Sequence, residues 1–73
     1  MKIGQDTKTR ILAVERILKS AVHPMTADNI MCALLNRYDI SVTRKVLYDD
    51  IAAITVFENV QHKKGIGYWI EKD

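Results

Sequence analysis

Apolar side chains recur at helical spacing over most of this chain and at alternating positions near its end, a change of period that predicts helices followed by strands. Ile11, Val14, Leu18 and Ala21 fall on one face of a helix expected over about residues 7–21, and Leu12 and Ile17 widen that face. Lys8, Arg10, Glu15, Arg16 and Lys19 fill the remainder, with Glu15 four positions before Lys19 as a favourable pair. His23 and Pro24 stop this helix, because the residue before a proline avoids helical angles. Thr26 is the expected N-cap of a second helix over about residues 27–36, with Met25 and Ile30 at the two positions of a hydrophobic staple. Asn29 leaves the reciprocal capping box incomplete. Ile30, Met31, Ala33, Leu34 and Leu35 spread apolar surface around this helix, which predicts a central, buried element. Cys32 within it reads as a small hydrophobe.

Thr43, or Ser41 two residues earlier, caps a third helix expected over about residues 43–55, and Val42 and Leu47 repeat the staple spacing. Leu47, Ile51 and Ile54 face the core, whereas Arg44, Lys45, Tyr48, Asp49 and Ala52 face away. Asp50 is expected to fix the helix through a local ion pair or hydrogen bond. The period then falls to two, and strands are expected over about residues 58–62 and 67–71, joined by Lys63-Lys64-Gly65-Ile66. An isolated hairpin is marginal, so Tyr68 and Ile70 on one face must anchor it to the helices. Trp69 falls on the opposite face, where it either marks a contact surface or folds back over the first helix. Residues 1–6 are short, polar and expected to fray.

With 73 residues, 48% hydrophobic and 27% charged, the chain has material for one small core and is expected to form one domain. Its single cysteine cannot form an internal disulfide, and the polar start and lack of a long apolar run predict a cytoplasmic, membrane-free protein. The net charge of +2 permits a polyanionic partner without demanding one.

Neither a metal nor another cofactor is expected. His23 and His62 stand at no ligand spacing, and one cysteine with two scattered histidines is not a zinc set. No glycine-rich phosphate loop or nucleophile–base set occurs, and the adjacent pair Asp49 and Asp50 diverges by about 100° on a helix. Catalysis is therefore not expected.

The resulting fold class is mainly α with a small β-hairpin (α+β): three helices and a two-stranded wing, in winged helix-turn-helix order. That order implies a mechanism. The third helix offers Thr43, Arg44, Lys45 and Tyr48 to a major groove about 12 Å wide, and the wing sets Lys63 and Lys64 beside it on the backbone. Thr26 and the amides of the second helix start suit a phosphate. Each has a plainer role: Arg44 and Lys45 as solvated helix-start residues, Lys63 and Lys64 as solubilising tip lysines, Tyr48 as a side chain packed on the body, His62 as a surface histidine.

The segment Thr43-Arg44-Lys45-Val46-Leu47-Tyr48-Asp49-Asp50-Ile51 resembles the S-R-R-T-I-Y-R-D-I recognition helix of bacterial WYL-domain and DeoR-type transcription regulators. Residues 25–30 resemble the start of their second helix, and Gly65-Ile66-Gly67-Tyr68-Trp69-Ile70 resembles the end of their wing. The resemblance implies a winged helix and sequence-specific duplex DNA binding in transcriptional control. Asp49 departs from it, standing where these regulators often carry arginine; it repels phosphate but suits a cytosine amino group or Lys45. The ligand-sensing domain that usually follows in WYL regulators is not among these residues.

Two functions follow. One is a DNA-binding regulator acting as a homodimer or with a tethered partner domain, because a module of this size covers only about 600–1,000 Å² of DNA. The other is a winged-helix module that binds protein instead, an accessory or inhibitor protein, favoured by the low net charge, the acidic pair Asp49 and Asp50, and Trp69 as its interface.

Overall fold

The computed structural model describes residues 7–71; residues 1–6, expected to fray, lie outside the described residues. The element order is α1 (Thr7–Ser20), α2 (Ala27–Tyr38), α3 (Arg44–Thr55), β1 (Val60–Lys63) and β2 (Gly67–Ile70). This is a mainly helical fold of three helices and an antiparallel hairpin, matching a winged helix-turn-helix topology. None of the described helices is long and apolar enough to cross a membrane.

Each helix presents one stripe to a shared core. Helix α1 buries Ala13, Val14, Ile17 and Leu18; α2 buries Ala27, Ile30 and Leu34; α3 buries Leu47, Ile51 and Ile54. Ile40, in the link between α2 and α3, closes that core, and Met25, Val60, Tyr68 and Ile70 pack at its edge. Three short helices cannot enclose one another, so the broad apolar face expected of α2 is covered only along its middle. Leu35 and Cys32 are exposed, and so is Leu12 on α1. Cys32 is thus not the buried hydrophobe its neighbours suggested.

The caps explain where the helices begin. Thr26 accepts a hydrogen bond from the Asn29 amide (3.2 Å) and Thr43 from the Val46 amide (3.3 Å), in both cases with extended backbone at the cap. Thr43, rather than Ser41, is the cap of α3. Helix α2 runs two residues past its expected end, to Tyr38. It stops where Asp39 adopts a left-handed conformation (φ 56°), and the amides of Asp39 and Ile40 bond the carbonyls of Leu35 and Leu34. Aspartate tolerates that conformation, so no glycine announces the turn.

The hairpin register pairs Val60 with Ile70, Gln61 with Trp69, His62 with Tyr68 and Lys63 with Gly67. The first strand starts two residues later than expected, because Glu58 belongs to the turn leaving α3, its amide bonded to the Ile54 carbonyl. Its carboxylate meets Lys19 Nζ at 2.9 Å, tying that turn to the end of α1, while the expected Glu15–Lys19 contact is looser at 3.8 Å. The hydrogen bond from Lys19 lowers the Glu58 pKa and raises that of Lys19, so the contact is complete at neutral pH and weakens as Glu58 protonates in acid.

An ion pair between a half-buried arginine and a buried aspartate joins α1 to α3. Arg10 grips Asp50 with two donors, Nε to Oδ2 at 2.6 Å and Nη2 to Oδ1 at 3.0 Å, and Asp50 is only 2% exposed. The partner expected for Asp50 was local; the actual one lies 40 residues away. The hydrogen bond to Asp50 raises the Arg10 pKa against the opposing effect of burial. Removing one member of a fully buried pair typically costs about 3–5 kcal/mol; with Arg10 partly open to solvent the cost is lower, at about 1–3 kcal/mol, and replacing both with apolar residues of similar volume is often tolerated. Asp50→Ala should therefore lower unfolding stability by about that amount in urea titration, and Arg10→Met with Asp50→Leu should restore most of it. A loss below about 1 kcal/mol for Asp50→Ala would show that the pair does not hold the fold.

Candidate nucleic-acid interface

The wing is fastened to the loop before α2. Tyr68 donates its amide to the Met25 carbonyl (2.7 Å) and accepts from the Met25 amide (2.8 Å), so Met25 acts as a third strand one residue long. Gly67 makes this approach feasible. Its φ is 124°, and a Cβ there would lie 2.6 Å from the Met25 carbonyl atoms and 2.9 Å from the Thr26 nitrogen.

This junction sets the start of α2, the first turns of α3 and the wing around one shallow groove of about 200 Å³. Thr26, Arg44, Tyr48, His62 and Tyr68 line it together with the wing backbone from Gly65 to Gly67. The His62 and Tyr68 rings stack with centroids 4.2 Å apart, and Tyr48 stands 6.4 Å from Tyr68. Burial, reinforced by the nearby Tyr48, pushes the Tyr68 phenol pKa up, so it remains a neutral hydrogen-bond donor at physiological pH.

Of the residues singled out from the sequence, Thr26, Arg44 and Tyr48 meet in this groove. Lys63 ends β1 and Lys64 begins the turn, both exposed at the wing tip, and Lys45 is exposed on the first turn of α3. None of these three lysines enters an ion pair among the described residues, and the pairing suggested between Lys45 and Asp49 is not formed there either. Thr43 lies outside the groove lining, and its hydroxyl oxygen caps α3 as that of Thr26 caps α2, each keeping an O–H to donate. Arg44 is exposed but not free: its Nη2 donates to the Asp28 carboxylate in the first turn of α2. Trp69 belongs elsewhere. It is half-buried in a separate groove with the end of α1 and with Val22 and Pro24, its indole N–H donating to Glu71 (2.8 Å). It neither stands out as a fully exposed anchor nor joins the buried core.

Sequence reading missed Asp28 as the partner of Arg44 and the His62–Tyr68 stack. The stack was accessible in principle, since pairing Lys63 with Gly67 sets His62 opposite Tyr68, but the strand limits had to be right first. Among the described residues, no group of three or more His, Cys, Asp or Glu could hold a metal ion. No family model, curated protein or solved structure matches the chain.

Both wing glycines have positive φ, but only Gly67 faces an occupied space. Gly67→Ala should cost about 2–3 kcal/mol and release the Tyr68 amide to fast hydrogen exchange, whereas Gly65→Ala should cost about 1 kcal/mol, the strain alone. Equal losses for the two would contradict a wing pinned at Gly67.

Proposed function

We propose that this chain is a winged-helix module that binds duplex DNA sequence-specifically in transcriptional control. In this reading the first turns of α3 enter the major groove and the wing tip lies on the adjacent backbone. The observation that carries it is the exposed start of α3 beside a wing stitched to the loop before α2, with Lys45, Lys63 and Lys64 in no ion pair among the described residues. Cations left uncompensated on adjoining elements are available to phosphates, whose counterions they release. Arg44 and Tyr48 contribute to the base-reading surface, and Thr26, at the head of α2, adds a hydroxyl and nearby amides for a phosphate oxygen. The likeness of residues 43–51 to the recognition helix of WYL-domain and DeoR-type regulators supports the same role. The small footprint of one module favours action as a homodimer or beside a tethered domain.

A second reading, docking of a protein partner, draws on Val22, Val56 and Phe57, which are 90%, 75% and 86% exposed. Val56 lies about 18 Å along the axis of α3 from Arg44, so the two surfaces are separable by mutation.

Affinity for a selected duplex should fall with salt along a log–log slope of about −3 to −4, reflecting about four phosphate contacts. Arg44→Ala combined with Lys45→Ala should weaken binding at least about tenfold and flatten that slope by about one to two units, as measured by fluorescence anisotropy at several salt concentrations. Unchanged affinity and slope would refute the DNA reading. Retention of a protein partner by that double variant, with its loss in Phe57→Ser, would establish the second.

A further inference from the structure

The ion pair between Asp28 and Arg44 links the first turns of α2 and α3 on the face assigned to DNA. Both side chains are well exposed, at 70% and 55%, so the pair contributes little to stability. A carboxylate on a surface meant for a polyanion works against affinity, because it repels phosphate and draws on the charge of the arginine beside it. Its position has a second consequence. Only Nη2 of Arg44 is engaged by Asp28, through one of the guanidinium's five N–H donors. The remaining donors take no other partner among the described residues.

We propose that Asp28 is a specificity-determining residue that acts through Arg44. It steadies the guanidinium so that its free edge forks the O6 and N7 atoms of a guanine, and it disfavours use of the same arginine as a plain phosphate contact. The spare lone pairs of the Asp28 carboxylate also suit the N4 amino group of a cytosine in the same groove. The residue thus lowers binding to arbitrary duplex and raises the preference for a site with a guanine opposite Arg44. This assignment rests on the DNA reading above and names what that interface recognises.

Asp28→Asn keeps the size of the side chain but exchanges the charged partner of Arg44 for a weaker neutral one, and because the pair is exposed the variant should fold as the parent does, which thermal unfolding checks. Full-length chain is used to select duplexes from a randomised pool, and affinities are then measured for the selected duplex and for the unselected pool. For Asp28→Asn, binding to the pool should tighten about threefold or more, and the selected-to-pool ratio should fall about tenfold, with one guanine position lost from the selected sequence. Arg44→Lys, which keeps the charge but not the fork, should lose the same position. If Asp28→Asn keeps the parental ratio and pool affinity while Arg44→Ala weakens binding, the role of Asp28 is overturned and the DNA reading stands. If the parent binds no duplex, or Arg44→Ala with Lys45→Ala changes nothing, the DNA reading fails and the role of Asp28 fails with it.

Discussion

The two-pronged contact between Arg10 and Asp50, set within the buried stripe of Leu47, Ile51 and Ile54, fixes which way α3 faces. Asp50 sits on the same inward stripe as Leu47, Ile51 and Ile54, and each of its carboxylate oxygens receives a donor from α1. Apolar packing alone tolerates small rotations of a helix, whereas two directed hydrogen bonds do not. Turning α3 by one residue would swing the carboxylate through about 100° and break both. With Asp50 held inward, Lys45, Tyr48, Asp49 and Ala52 are directed outward. This clamp and the apolar stripe beside it therefore set the surface that α3 offers, although Asp50 lies beneath that surface.

The molecule uses charge in two regimes. Where the core meets the surface, the half-buried Arg10 holds the buried Asp50 through two directed hydrogen bonds, so the pair specifies geometry. At the surface, Lys19 with the half-buried Glu58 and Arg44 with the exposed Asp28 add little stability and act locally: one secures the turn after α3, the other joins the first turns of α2 and α3. The wing follows a third logic, backbone hydrogen bonds to Met25 across a gap that only glycine leaves open. Together these contacts produce the groove between α2, α3 and the wing from elements each too short to be stable alone.

The helices were legible because their periodicity and staple pairs are local signals: Thr26 with Met25 and Ile30, Thr43 with Val42 and Leu47. Exposure was less so. Leu12, Cys32 and Leu35 are apolar and lie at helical spacing, yet three short helices lack the surface to cover them. The end of α2 escaped notice because Asp39 does the work usually signalled by glycine. Long-range pairing was invisible, since nothing local distinguishes Arg10 from the other cations of α1 or marks Asp28 as the partner of Arg44. Within the candidate site, the convergence of Thr26, Arg44 and Tyr48 was readable once the winged order was accepted. The rest of the groove depended on wing register and on the Met25–Tyr68 bridge, which alternation does not encode.

The central claim is that the start of α3 and the adjoining wing form one nucleic-acid-binding face. Amide chemical-shift mapping of the full chain during titration with a selected duplex tests it directly. Perturbations are expected to cluster at residues 26–28, 44–48 and 63–67, while the signals of Val22, Phe57 and Trp69 stay in place. Perturbations centred on those three residues, or none at saturating duplex, would contradict it.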